Sequence, residues 1–340
     1  MGFSKKQHLR QNILAMRIAF TLDKEKRQAT EDERRLMMQY RGFGGLKFVL
    51  NPISNELDIH HWSKSEHDLF PITRELHQLL KDNTADEKQY HRYVDSMRNS
   101  VLTAFYTPPQ IIDAVSATLR DKGLQIDKFL DPSAGIGSFI LPFSQNGQAG
   151  VTAYEKDLLT GKILKQLYAE SNIHISGFEE ISEKAQNSYD VVASNIPFGD
   201  TSVFDLSYSR SKNPAKVKAA QSIHNYFFLK GADMMREGGV LAYITSQGVL
   251  NSPKNEPIRR ALMQGNNLVS AIRLPNNLFK DYAGTEVGSD LIILQKNSQK
   301  QGLSEIEKRF CQTYITSDNT SNNVLFENLG RVVHTSLYKD

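Results

Sequence analysis

Asn195, Ile196, Pro197 and Phe198, in the run Ser194-Asn195-Ile196-Pro197-Phe198-Gly199, place an amide, a proline and an aromatic ring within four positions. An amide oxygen and a neighbouring backbone carbonyl can each accept a hydrogen bond from an exocyclic amino group. Proline fixes the turn without adding an N–H donor. The ring offers a stacking face to a base swung out of its helix. On its own the tetrapeptide would also suit a strand followed by an ordinary Asn-Xaa-Pro turn. The residues upstream decide against that plainer reading.

There, Phe129-Leu130-Asp131-Pro132-Ser133-Ala134-Gly135-Ile136-Gly137-Ser138-Phe139 runs from a short apolar segment into a loop of small residues. Glycines at 135 and 137 let backbone approach a ligand, and amides at a following helix start can meet a polar or anionic group. The full Gly-x-Gly-x-x-Gly pattern is broken by Ile140, which disfavours a nicotinamide dinucleotide. A second apolar run, Gly150-Val151-Thr152-Ala153-Tyr154, ends in Glu155. An acid at the tip of a second strand is where a doubly wound fold binds ribose hydroxyls.

These groups need a scaffold that delivers them to one edge. Short apolar runs at 127–131, 150–155, 173–176, 189–194, 239–245, 268–273 and 289–295 alternate with helical stretches. That alternation predicts a mainly parallel sheet covered on both faces. The last two runs are joined by a Gly-rich loop and read as an antiparallel edge hairpin. Before them, residues 1–100 read as helices, with Ile13, Met16, Ile18, Ala19 and Leu22 forming an apolar stripe and Gly42 to Gly45 making a turn. The expected domains are therefore a helical region at 1–100, an α/β domain at 101–298, and an extension at 299–340.

Composition removes several function classes. No apolar run approaches the ~18 residues needed to span a membrane, and the start, Met1-Gly2-Phe3-Ser4-Lys5-Lys6, is not that of a secretory signal. The single cysteine, Cys311, excludes an internal disulfide and a Cys-based zinc site. His60 and His61 lack partners at metal-binding spacing, so no metal is expected. A cytoplasmic protein fits all of this. Net charge is only +3, but its distribution is uneven. From Leu206 to Ala232 there is no acid, while Arg210, Lys212, Lys216, Lys218 and Lys230 are basic. Lys and Arg beside a base-flipping pocket would neutralise phosphates and hold a strand in register.

Taken in order, these motifs resemble S-adenosylmethionine-dependent DNA adenine-N6 methyltransferases whose cofactor motif precedes the Asn-x-Pro-Phe motif. Phe105-Tyr106-Thr107-Pro108-Pro109 is similar to the segment covering the methionine end of the cofactor, and Gly238-Gly239-Val240-Leu241-Ala242-Tyr243-Ile244-Thr245 to the strand after the catalytic loop. Leu274-Pro275-Asn276-Asn277-Leu278-Phe279 and the run from Gly284 to Leu294 resemble the closing strand pair. The likeness covers about residues 100 to 297. It departs where Ile196 stands in place of the family's usual first proline. Tyr40-Arg41-Gly42-Phe43-Gly44-Gly45-Leu46-Lys47 is also similar to a signature of large methylase–helicase proteins of mobile elements and phages. Such proteins continue into helicase motifs, and no Walker-type sequence occurs here. A fragment, or a short stand-alone relative, is expected.

The resemblance implies a Rossmann-like class I methyltransferase fold, with a mostly parallel seven-stranded sheet, an antiparallel edge strand and a helical N-terminal region. It implies S-adenosylmethionine as cofactor, held by Tyr106, Thr107, Pro108, Asp131, Pro132, Ser133, Ala134, Gly135, Gly137, Glu155, Lys156, Phe178, Glu179 and Asn195. Within that set Thr107 and Asp131 would fix the amino-acid end, Glu155 the ribose, and Phe178 or Glu179 the adenine ring. Asn195, Ile196, Pro197 and Phe198 would be catalytic, with DNA held by Arg210, Lys212, Lys216 and Lys218. The implied role is adenine-specific modification or anti-restriction, with a helicase domain or another chain as possible partner. Methylation of RNA or of a protein glutamine, or DNA docking without strong catalysis, would suit the same motif logic.

Overall fold

The computed structural model describes residues 4–103, 107–144, 148–199, 201–276, 278 and 287–327. Tyr106, with Phe105, lies outside them, as do Asn277, Phe279, Gly284 to Glu286 and residues 328–340.

Helix α1 (Lys5–Glu25) starts at Ser4, whose hydroxyl accepts from the Gln7 amide, and ends at Lys26 in the left-handed region. Leu9, Ile13, Met16 and Phe20 recur at helical spacing along its buried side. Thr30 and Glu33 form a reciprocal capping box at the start of α2 (Glu31–Met37). Helices α3 (Phe70–Lys81) and α4 (Glu87–Thr103) complete the helical region. The segment from Tyr40 to Leu46 is its keystone. Tyr40, Phe43 and Leu46 are buried, and the Gly42 carbonyl accepts from the His8 ring and the Asn12 amide. The Phe43 amide donates to Ser100 Oγ at 3.0 Å. Gly42 and Gly45 sit at φ of 63° and 74°, a conformation glycine adopts without strain.

Helix α5 (Pro109–Asp121) leads into β1 (Lys128–Asp131), followed by α6 (Ile140–Phe143), β2 (Gly150–Tyr154), α7 (Leu158–Leu167) and β3 (Asn172–His174). The second half runs through β4 (Tyr189–Asn195), α8 (Leu206–Ser209), α9 (Pro214–Ala219), α10 (Ile223–Met234) and β5 (Met235–Ser246). Then come α11 (Gly248–Asn251), α12 (Glu256–Gly265), β6 (Asn266–Arg273) and β7 (Ser289–Lys296). The seven strands lie in the order β3-β2-β1-β4-β5-β7-β6. Strands β1 to β5 pair in parallel with one another, β7 is antiparallel to both β5 and β6, and β6 forms the outer edge of the closing pair.

Strand β4 reads Tyr-Asp-Val-Val-Ala-Ser-Asn and is buried up to its last residue, because helices cover both faces. Successive side chains alternate between two cores. Phe129, Val191, Ala193 and Ala242 face α5 and α6, while Leu130, Val192, Leu241 and Tyr243 face α10 and α12. The helical region shares a third core with α7, through Leu159, Ile163 and Leu167.

The extension contributes α13 (Glu305–Cys311) and a small antiparallel pair, β8 (Thr313–Ile315) and β9 (Ser321–Asn323). It is sewn to the α/β body. Phe310 and Cys311 enter the core beside α10 and α12. The buried Arg259 guanidinium donates to the carbonyls of Cys311, Val249 and Ser252. Burial lowers the Arg259 pKa to about 10.

Candidate active site

Strands β1 and β4 are neighbours whose chains leave to opposite sides, which makes their carboxyl ends the switch point where open α/β sheets bind ligands. Asp131 ends β1, Glu155 follows β2 and Asn195 ends β4. The sequence-predicted cofactor and catalytic motifs therefore meet at one edge.

Asp131 is fully buried. Its Oδ1 accepts from the Ser133 amide at 3.2 Å and from Ser194 Oγ at 2.7 Å. Its Oδ2 has no hydrogen-bond partner among the described residues, and neither has the buried Thr107 Oγ1 just before α5. Burial pushes the Asp131 pKa from 3.8 up to about 7. The glycine loop turns through positive φ at Gly135 (56°) and Gly137 (84°). A side chain at Gly137 would strike the Tyr168 ring, so this glycine serves close packing against α7 as well as the turn. Pro132 and Ala134 complete the loop, with the Ala134 amide donating to the Tyr154 carbonyl.

Glu155 braces that loop. Its Oε2 accepts from the Gly135 amide at 2.8 Å and its Oε1 from the Asp157 amide at 2.7 Å. A carboxylate has about four lone-pair sites, so both oxygens retain acceptor capacity toward a ligand. Burial, and then the nearby Asp157 charge, raise the Glu155 pKa to about 7. Asp157 caps α7 through the Thr160 amide and accepts from Ser96 of α4. The helical region thus stiffens the glycine-loop edge from behind.

Beyond β3, Phe178 is enclosed by Tyr154, Tyr226 and Phe227 in the core. Its neighbour Glu179 pairs with the exposed Lys156 ammonium at 2.8 Å.

In the Asn195–Phe198 motif, the Ile196 side chain is buried in the core and its amide donates to the Ile244 carbonyl at 3.0 Å. A proline at 196 could not make that bond, so isoleucine ties the start of the loop to β5. Asn195, Pro197 and Phe198 remain half-buried at the strand end. The His224 ring donates to the Gly199 carbonyl at 3.0 Å, which fixes the loop's other end. His224 and Ser194 escaped the sequence reading. Ser194 carried one signal, a small polar residue closing an apolar run immediately before the amide.

The basic window divides. Arg210, Lys212 and Lys218 are exposed. Lys216 pairs with Asp233 at 2.7 Å. Lys230 is withdrawn from the window altogether: it is buried and pairs with Asp205 at 2.8 Å. Its place within α10, whose residues are almost all buried, puts the ammonium in the interior, where the Asp205 charge and the Tyr208 ring face, 5.2 Å away, stabilise it.

A profile of N-6 DNA methylases matches residues 96–336. The chain is 28% identical over 200 residues to the Defense against restriction protein B of Escherichia phage P1, covering 58% of this chain and 8% of that protein. It is 24% identical over 253 residues to the Type II methyltransferase M.VspI of Vibrio sp. (strain 343), covering 68% and 58%. The chain therefore spans less than two thirds of the length of either relative. Among solved structures, the type I restriction-modification methyltransferase subunit of Streptococcus thermophilus superposes with a TM-score of 0.49 at 16% identity, covering 95% of this chain and 72% of that one. Among the described residues no helix is long and apolar enough to cross a membrane. With the family's profile running through the glycine loop, the Asn195 motif and the closing strands, the chain belongs to the N-6 DNA methylase family.

Proposed function

We propose that this chain transfers a methyl group from S-adenosylmethionine to N6 of adenine in DNA. The observation that carries this reading is the join between the two motifs. Ser194, one residue before Asn195, is hydrogen-bonded to Asp131 of the glycine loop. A group held at Asp131 and a base held at Asn195 would thus be neighbours.

The residues fit the cofactor. Asp131, Glu155 and Asp157 gather acid at the loop, and among the described residues none of them accepts a hydrogen bond from Lys or Arg. A ligand carrying positive charge relieves that crowding. S-adenosylmethionine supplies an electrophilic methyl on a positively charged sulfur. Thr107 Oγ1 and Asp131 Oδ2 would hold its amino-acid end, and Glu155 its ribose hydroxyls. The Asn195 side-chain oxygen accepts a hydrogen bond from the adenine amine and turns its lone pair toward the cofactor. Phe198 stacks on the flipped ring. N6 would gain the methyl as the bond from that carbon to sulfur breaks, leaving a neutral thioether, and would release one proton to water. Much of the rate comes from positioning.

The reading extends to context. The phage and bacterial relatives support a modification or anti-restriction role in the cytoplasm. The small share of the phage protein that is matched supports a methylase part within a larger system.

The test uses labelled S-adenosylmethionine with unmethylated genomic DNA, single-stranded DNA, RNA and ribosomal protein. Label in N6-methyladenine from DNA, found by mass spectrometry after digestion to nucleosides, is the expected result. Label only in RNA, or only in protein glutamine, would overturn the DNA assignment. No label anywhere, with DNA still bound, would make the chain a docking module.

A further inference from the structure

Phe204 is 79% exposed, the most exposed of the large apolar side chains that can be described. Isolated apolar residues on a surface are ordinary. What sets Phe204 apart is how firmly its backbone is held. Asp205, the residue before α8, has an extended backbone with φ of −123° and ψ of 116°. Phe204 and Leu206 (52% exposed) face solvent, while Asp205 between them is buried. The Asp205 carboxylate accepts from Tyr226, Lys230 and Ser207. Burial works against its charge, but those bonds overcome it and hold the group well below the usual carboxylate range. On the other flank, the Val203 amide donates to the Ala220 carbonyl at 2.8 Å.

This anchorage is shared with the catalytic loop. The Gly199 carbonyl takes its hydrogen bond from His224, four residues beyond Ala220 on the same turn into α10. Phe204 is thus presented on a rigid ledge directly after the Asn195 loop. Arg210 and Lys212 are exposed in the turn between the two short helices that follow, Lys218 is exposed on the second of them, and no acid occurs from 206 to 232. An apolar ring beside cations, next to a base-extruding pocket, matches the chemistry of a nucleic-acid duplex: phosphates for the cations and exposed base faces for the ring.

We infer that Phe204 stacks against the base pair flanking the extruded adenine, replacing the stacking that the departing base takes away. The inference rests on the DNA reading above and deepens it. It makes Phe204 a duplex-specific contact, separate from Phe198, which holds the flipped base itself.

Two measurements test it. In the first, the chain and its Phe204→Ala and Phe204→Trp variants methylate unmethylated genomic DNA, native or heat-denatured. Phe204→Ala is expected to lower kcat/KM on native DNA by about tenfold, the size of one lost base stack, and to leave denatured DNA within about twofold. Phe204→Trp is expected to restore most of the loss, and melting temperature and cofactor affinity to stay unchanged. Equal loss on both DNAs, or none on either, would overturn the inference.

The second measurement needs no methyl transfer. Fluorescence anisotropy compares a 40-base-pair duplex with the same duplex carrying one abasic site, whose gap stands in for an extruded base. The wild-type chain is expected to prefer the abasic duplex and Phe204→Ala to lose that preference. If methylation fails but this preference appears, the catalytic reading falls and the Phe204 contact stands. If the wild-type chain shows no preference, the Phe204 contact falls whatever the methylation result.

Discussion

The segments that follow β1 and β2 and those that follow β4 treat charge in opposite ways. Around β1 and β2, Asp131, Glu155 and Asp157 are bound, among the described residues, by amides and hydroxyls alone. Beyond β4, Asp205 is matched by Lys230 and Asp233 by Lys216, and Arg210, Lys212 and Lys218 remain as exposed surplus. A protein interior that leaves carboxylates without counter-ions is prepared for a cation, and a surface with spare cations is prepared for a polyanion. The cofactor and the DNA of the proposed reaction have those two signatures.

The largest expected effect tests whether Lys230 belongs to the structural side of this contrast. Lys230→Met strands the buried Asp205 charge and should cost about 3–5 kcal/mol of stability in chemical denaturation. Adding Asp205→Asn should recover part of it. A Lys230→Met protein of wild-type stability but weakened DNA binding would move Lys230 to the phosphate side.

Asn195 stands at the seam. Asn195→Ala should cut turnover by about 10²–10³, the range for removing one preorganised polar partner of a transition state. Calorimetry should show cofactor affinity changed far less. Phe198→Ala should lose about tenfold and Phe198→Tyr recover part of it. Equal losses of turnover and cofactor binding would make Asn195 a cofactor residue only.

Asp131 probes the acidic half. Its native pKa of about 7 lies above the ordinary 3.8, so the folded chain holds a proton that the unfolded chain releases. This group's contribution to stability is full below pH 3.8 and is lost as pH rises toward 7. Thermal melts of the cofactor-free chain should show that decline, and Asp131→Asn should flatten it. The same substitution should weaken S-adenosylmethionine by about tenfold above pH 7, where the carboxylate would otherwise be ionised. A decline that persists unchanged in Asp131→Asn would assign the titration to Glu155.

The smallest effect concerns the exposed cations. Replacing Arg210, Lys212 and Lys218 with Ala should reduce the slope of log affinity for duplex DNA against log salt by about 2 to 3. Lys216→Ala, added to these, should lower stability rather than flatten the slope further.

The strands were legible because β1, β2 and β4 are apolar runs closed by an acid or an amide, and periodicity with turn residues locates such runs well. Asp131, Glu155 and Asn195 were legible for the same reason, since a strand end dictates where its last side chain is delivered. What sequence concealed was partnership. Lys216 and Lys230 read as members of one basic window, yet their acids, Asp233 and Asp205, lie 17 and 25 residues away and are matched only through the fold. Phe178 reads as a strand-end residue, but three aromatic rings from distant segments enclose it. The Tyr40–Leu46 segment carried a recognisable signature, while its role in locking α1 to α4 depends on His8, Asn12 and Ser100.

The position of β7 governs how the chain can be assembled during synthesis. β5 leaves the ribosome with one flank open, and the strand that covers it begins roughly forty residues later, a few seconds at common translation rates. β6 emerges in between but pairs only with β7. The nascent sheet must therefore wait with an unpaired apolar edge until the antiparallel pair arrives as a unit. A ribosomal pause after β5 has emerged but while β7 is still enclosed would prolong that exposure and favour aggregation, whereas a pause once β7 is outside would not.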